Sequence, residues 1–423
     1  MPTASGLQYN DRLRIPLTRA KPRSCRACHS VSLEEVTVFL DLTPEQQRII
    51  ALAKDLAQEF AHRAELHDRE GSFPFENIAR LKETGYTTLT TPAEYGGWGA
   101  TPLTFVLAQE QLVQGCCATA FAINMHCNTV GFYTPFMTST QKELYLNNVG
   151  RKQMLMNGFY TEGGGARSIM SPNTKARKVS GGYVLNGQKV FATLVPVVDY
   201  FGISTALEGY TGPASGGCVF LLPRDTPGLA VVDTWDAMGM RATGSHTIMI
   251  HDVFATPDQL IGEEGHLFEE FAQVAHWYCL SFSAIYLGIG QAAYHYVVDY
   301  ARTRKVQKSG QLVGHLPWNR FAIGEMYNRL EACRTLIYTL AREISEQRPY
   351  GERQVPTIEM LRTFVAENML EVANLATRIA GGQGYLKGNP LERYFRDLRS
   401  APLHTLKRDE VLEMLATLAL GFA

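Results

Sequence analysis

The spacing of apolar residues changes twice along the chain. Behind Leu42-Thr43-Pro44-Glu45-Gln46, apolar side chains recur at Ile49, Leu52, Ala53, Leu56 and Phe60. Steps of three and four mark one face of a helix. Thr at the cap, Pro at the first helical position and Gln at the third form a start signal. The same spacing predicts helices over about 74–85, 103–115, 118–135 and 140–150. Between Gln153 and Ala255 the period shortens. Tyr183-Val184-Leu185, Lys189-Val190-Phe191-Ala192-Thr193, Val219-Phe220-Leu221-Leu222 and His246-Thr247-Ile248-Met249-Ile250 are short β-type runs between Gly, Pro and Asp. They predict strands of an antiparallel sheet. Helical spacing then returns near 266–305, 316–347, 355–380 and 407–421.

Helices, a β block and helices again predict a mostly α fold with a β domain, the two kinds of structure segregated. The boundaries fall at 1–38 (an extension), 39–152 (helical), 153–263 (β) and 264–423 (a helical bundle). The longest apolar run, Cys279 to Val298, contains Ser281, Ser283, Gln291 and His295. It predicts a helix buried in protein rather than in a membrane.

Composition narrows the function. Forty Lys and Arg against 41 Asp and Glu leave a net charge of −1. That balance offers no basic face for nucleic acid. Eight scattered Cys in 423 residues do not form a disulfide framework. A reducing, cytoplasmic setting is expected. Residues 1–38 are Arg-rich and acidic-poor, a profile shared by transit peptides and by loose tails. Their Cys25-Arg26-Ala27-Cys28-His29 string has the spacing of a haem attachment site. No apolar signal core precedes it, and no second Cys pair completes a zinc site, so no metal is expected.

Five segments in order carry a resemblance. They are Gly85-Tyr86 with Pro92-Ala93-Glu94-Tyr95-Gly96-Gly97-Trp98-Gly99; Thr161-Glu162; Asn186-Gly187-Gln188-Lys189-Val190-Phe191-Ala192-Thr193; Met238-Gly239-Met240-Arg241-Ala242-Thr243-Gly244-Ser245; and Gly381-Gly382-Gln383-Gly384-Tyr385 leading to Arg396-Asp397. With these the chain resembles the acyl-CoA dehydrogenase superfamily of flavoproteins over about 39–421. The resemblance implies an N-terminal helical domain, a middle β domain and a C-terminal four-helix bundle. It also implies FAD, and a homotetramer or dimer whose flavin site is completed across a subunit interface. Tyr160 and Thr161 would lie along the flavin ring, with Phe191 and Thr193 beside it. Phe191 taken alone is also an ordinary sheet residue. Arg304 would reach the FAD pyrophosphate, as would backbone N–H groups of Gly381, Gly382 and Gly384, where glycine permits close approach.

The departures from the family pattern bear on the chemistry. Family dehydrogenases use a carboxylate to remove the substrate α-proton while the β-hydrogen leaves as hydride to flavin N5. Counting from Arg396 puts that base at Thr405, and the alternative base position falls on Tyr278, followed by Cys279 where an Arg is usual. Ala166-Arg167-Ser168 replaces a Gly-Ser-Asp turn, which leaves CoA recognition open. His404, beside Thr405, has a usable intrinsic pKa. Superfamily monooxygenases carry His in this loop and use reduced flavin with O₂. His126 is expected to be buried or capping, and Asp409 and Glu410 to sit at a helix start.

Three functions are carried forward. The first is an FAD-dependent enzyme desaturating an acyl thioester, on CoA or on an acyl carrier protein, with His404 and Thr405 at the reacting end. The second is a flavin monooxygenase acting on a small molecule not linked to CoA and fed by a flavin reductase. The third is a flavin-binding protein without catalysis.

Overall fold

The computed structural model describes residues 40–163, 172–404 and 406–422. The Cys25–His29 string, the Ala166-Arg167-Ser168 turn and Thr405 lie outside them. Helix α1 spans Pro44–Glu70 and α2 spans Phe75–Glu83. α3 (Pro102–Leu112) starts on Thr101, whose side chain accepts from the Thr104 N–H at 3.3 Å. α4 is Cys117–Tyr133, followed by α5 (Ser139–Gln141) and α6 (Asn147–Lys152) with a wide helical turn between them.

All 17 residues of α4 are buried, including its polar ones. Each buried polar group then needs a partner. The Asn124 amide donates to Ser281 Oγ at 3.1 Å and the Thr129 hydroxyl to Asn157 Oδ1 at 3.2 Å. His126 Nε2 lies 2.8 Å from the Thr87 carbonyl, which can only accept, so Nε2 carries the proton. Nδ1 of the neutral ring, 3.0 Å from both the N–H and the carbonyl of Met156, then accepts the N–H. His126 is therefore a buried tie between α4, the Thr87 turn and the start of the sheet.

The eight strands are β1 (Met156–Phe159), β2 (Lys175–Val179), β3 (Gly182–Ala192), β4 (Tyr200–Leu207), β5 (Gly217–Pro223), β6 (Leu229–Val232), β7 (His246–Ala255) and β8 (Leu260–Ile261). Their order is β6-β7-β3-β2-β4-β5-β8, with β1 beside β4. Pairing is antiparallel except at β1–β4 and β2–β4, which are parallel. Tyr183–Leu185 and Lys189–Ala192 are one strand with two register shifts: His251 and Asp252 of β7 stand opposite Asn186, and Val190 and Phe191 of β3 bulge opposite Thr247.

The second helical part holds α7 (Leu267–Thr303), α8 (Pro317–Ser345), α9 (Gln354–Ala380), α10 (Pro390–Leu398) and α11 (Arg408–Leu420). α7 is the central rod, in contact with α3, α4, α8, α9 and α10. Its crossing with α4 depends on Gly131, where an added Cβ would fall 2.5 Å from the Trp277 ring. No described helix is long and apolar enough to cross a membrane.

Candidate active site

The ends of β1 and β3 build one wall. The Val190 N–H donates to the Thr161 carbonyl at 2.9 Å, and the Asn157 side chain donates to the Thr193 carbonyl at 2.8 Å. These bonds put Thr161, Phe191 and Thr193 side by side. Phe191 has φ of 54° and is 60% exposed, its ring edge-on to Trp235 at 5.8 Å. A non-glycine residue in the left-handed region is costly and persists only where its surroundings enforce it. Here the bulge presents a large apolar ring to the outside. Thr193 is buried, its hydroxyl 2.8 Å from Ser245 Oγ, which is in turn 2.7 Å from Thr243 Oγ1. An outward aromatic ring flanked by two threonines fits a flat conjugated ligand with polar edges.

Beneath this wall lies an ion pair. Lys189 Nζ is 2.6 Å from Glu162 Oε1, and both side chains are buried. Glu162 also accepts from the Thr174 hydroxyl at 2.6 Å, the Thr174 N–H at 3.0 Å and the Asn173 N–H at 2.5 Å. Burial drives the Lys189 pKa down to about 8, against the opposing pull of Glu162. Burial also works against the Glu162 charge, but the bonds from Lys189 and Thr174 outweigh it and lower its pKa.

From the wall an aromatic path runs to α7. The Tyr160 hydroxyl is 2.6 Å from that of Tyr133. Burial raises the Tyr160 pKa, and nearby Tyr133 and Tyr278 raise it further. Tyr278 packs on Phe282 at 4.1 Å between ring centres. His404 closes the path, its ring stacked on Phe121 at 5.0 Å, tilted against Phe282 at 5.0 Å and parallel to Tyr286. Part of the His404 residue stays accessible, yet burial of its ring lowers the pKa to about 3, with Arg362 adding to the effect. The imidazole is therefore neutral at ordinary pH and a poor proton acceptor.

His404 Nδ1 is 2.6 Å from the Tyr286 hydroxyl. A phenol donates to an imidazole nitrogen far better than an imidazole N–H donates to a phenol oxygen. The short contact assigns the tautomer with Nε2–H, so His404 offers a donor.

Behind His404 lies a buried pair that the sequence reading missed. Arg362 Nε donates to Glu359 Oε2 at 2.8 Å, and Arg362 Nη2 donates to the Leu406 carbonyl at 2.7 Å. Cys279 Sγ donates to Glu359 Oε1 at 3.4 Å. A signal was present: Arg362 falls on the stripe of Ile358, Leu361, Val365 and Met369, which α9 buries. A charge on a buried stripe calls for a partner.

Arg304 and the glycines gather elsewhere. Arg304 is exposed at the C-terminal end of α7, and Gly381, with φ of 61°, ends α9. The Tyr300 hydroxyl, 3.5 Å from the Ala380 carbonyl, joins these two ends. A Cβ added at Gly381 or Gly382 would meet nothing within 4 Å, while Gly384 is buried against Ala380. Tyr278 and Arg304 are 26 residues apart in sequence, which α7 spreads over roughly 39 Å at 1.5 Å per residue. That is longer than an extended dinucleotide. Arg304 therefore stands at the far end of α7 from Tyr278 and the aromatic path.

Family models match three stretches of the chain: the acyl-CoA dehydrogenase N-terminal domain over 43–153, the middle domain over 159–253 and the C-terminal domain over 280–408. The protein belongs to the acyl-CoA dehydrogenase family, a family of flavin-dependent oxidoreductases. The Bacillus subtilis protein YdbM, whose name places it with the acyl-CoA dehydrogenases, is 31% identical over 398 residues, 90% of this chain and 98% of its own. Butyryl-CoA dehydrogenase from Megasphaera elsdenii superposes with a TM-score of 0.83 at 25% identity, over 90% of this chain and 99% of its own. The prolyl acyl carrier protein oxidase AnaB superposes with a TM-score of 0.81 at 25% identity, over 89% and 99%.

Proposed function

We propose that the protein is an FAD-dependent dehydrogenase of an acyl thioester, linked to CoA or to a carrier protein. The observation that carries this reading is the outward, strained Phe191 held between Thr161 and Thr193, with the aromatic path to His404 starting at Tyr160, next in sequence to Thr161. Phe191 would flank the flavin ring, with the Thr161 and Thr193 hydroxyls at its edge. FAD bound there supplies a two-electron acceptor for a hydride. The aromatic path excludes water from the acyl group. His404 holds an Nε2–H toward it and Tyr286 fixes that orientation.

Arg304, Gly381 and Gly382 would serve the pyrophosphate of FAD bound to a second copy, since Arg304 stands at the far end of α7 from Tyr278 and Tyr300 ties that end to the glycines. An oligomer is consistent with the exposed Trp318 and Phe321 of α8 and the exposed Tyr385 beside the glycines. Substitution tests this placement. Phe191→Ala is expected to cut FAD per subunit in the purified protein by at least half, with the far-ultraviolet circular dichroism unchanged. Full FAD occupancy in that variant excludes the wall as the flavin site.

The His404–Tyr286 pair favours a second reading, a monooxygenase of the same fold, because a neutral donor is placed where the family carboxylate is missing. Turnover that requires both O₂ and a flavin reductase, with no reduction of the flavin by any thioester, selects it.

A further inference from the structure

Position 278 on α7 carries a Tyr and position 405 a Thr, so neither base position of the family holds a carboxylate. Glu359 of α9 lies between the two segments that carry those positions. One of its oxygens contacts Cys279, the neighbour of Tyr278. The other is held by Arg362, which also grips the Leu406 carbonyl, next in sequence to Thr405. Burial is the main cause of the raised pKa of Tyr278 and of Tyr286, and the nearby Glu359 charge adds to it in both. The carboxylate therefore sits against the same aromatic path that ends on His404. Cys279, where the family pattern has an Arg, is small enough to leave this space to a carboxylate and a guanidinium delivered from α9.

We propose that Glu359 is the proton acceptor of this site. The proposal rests on the dehydrogenase reading. A carboxylate taken out of water needs a partner, and Arg362 supplies it to the buried Glu359 at 2.8 Å. The substrate Cα–H bond breaks, its proton goes to a Glu359 oxygen, and its electron pair delocalises into the thioester carbonyl. The enolate gives the double bond once the β-hydrogen leaves with its two electrons, and FAD held at the Phe191 wall would supply the acceptor for that hydride. His404, neutral and donating, cannot take that proton but is placed to stabilise negative charge on the substrate.

The test separates proton removal from oxidation. Butyryl-CoA, longer straight-chain acyl-CoAs and a prolyl carrier protein are mixed anaerobically with FAD-loaded wild type, to find a thioester that reduces the flavin. Absence of any reduction overturns the dehydrogenase reading, and the Glu359 proposal with it. The reactive thioester is then incubated in D₂O with holoenzyme already reduced by dithionite, and deuterium at Cα is read by mass spectrometry. Wild type is expected to exchange the α-hydrogen. Glu359→Gln is expected to slow exchange about 100-fold or more while keeping its FAD. Glu359→Asp, which keeps the charge opposite Arg362, is expected to retain a reduced but measurable rate. Exchange within about threefold of wild type in a FAD-loaded Glu359→Gln or, if that variant does not fold, in the charge-free double variant Glu359→Gln with Arg362→Met overturns the proposal.

Discussion

Replacing Lys189 by Met is expected to destabilise the protein by about 3–5 kcal/mol, the range for removing one partner of a buried ion pair. Lys189 is the cation opposite Glu162 at 2.6 Å, and neither side chain reaches solvent. Met fills the space without supplying charge, and Glu162 loses its cation while keeping the neutral donors on Thr174 and Asn173. Glu162 directly follows Thr161, so the loss reaches the wall and FAD retention is expected to fall with stability. Denaturant unfolding of wild type, Lys189→Met and the double variant with Glu162→Gln checks this. The double variant is expected to recover much of the loss, since no buried charge remains unpaired. A single variant within about 1 kcal/mol of wild type contradicts the argument.

Acid is expected to remove about 3 kcal/mol through His126 alone. Burial lowers the pKa of its ring from 6.5 to about 4, despite the Thr87 and Met156 carbonyls beside it. As pH falls below 6.5 the unfolded chain takes up a proton that the folded chain refuses until about 4. Stability is thus complete above the unfolded pKa and drains across that window. His276, lowered to about 4, and His404, lowered to about 3, act in the same direction, less strongly where they are partly exposed. Asp397 opposes them. Burial raises it to about 6, so the folded chain binds its proton first and regains some stability as pH falls. The measurement is therefore a difference: melting temperature against pH for wild type and His126→Gln. The variant is expected to start lower at neutral pH and to fall less steeply. Equal slopes contradict the assignment of His126 as a buried neutral tie.

The fold was largely legible because its elements are long and periodic. The helical spacing from Ile49 to Phe60 lies within α1, and the β-type runs lie in the sheet. The bulge in β3 at Val190 and Phe191 was not legible, since alternation cannot show where one strand gains a residue on its partner. The same bulge gives Phe191 its exposure. At the site, single motifs marked Thr161, Phe191, Thr193 and His404, because each is fixed by a short string. Glu359 and Arg362 belong to no such string. They reach the site through the packing of α9 on α7, a tertiary contact that no local pattern encodes. Arg304 and the glycines were placed by motif alone, and only the length of α7 separates Arg304 from Tyr278 and the aromatic path.

Anaerobic mixing of the FAD-loaded protein with the thioester panel tests acyl-thioester dehydrogenation most directly. Loss of the oxidised flavin absorbance, with the matching α,β-unsaturated thioester formed in equal amount, is the expected result. A flavin that every thioester leaves oxidised, in a protein that oxygenates a small molecule when given a reductase and O₂, would contradict it.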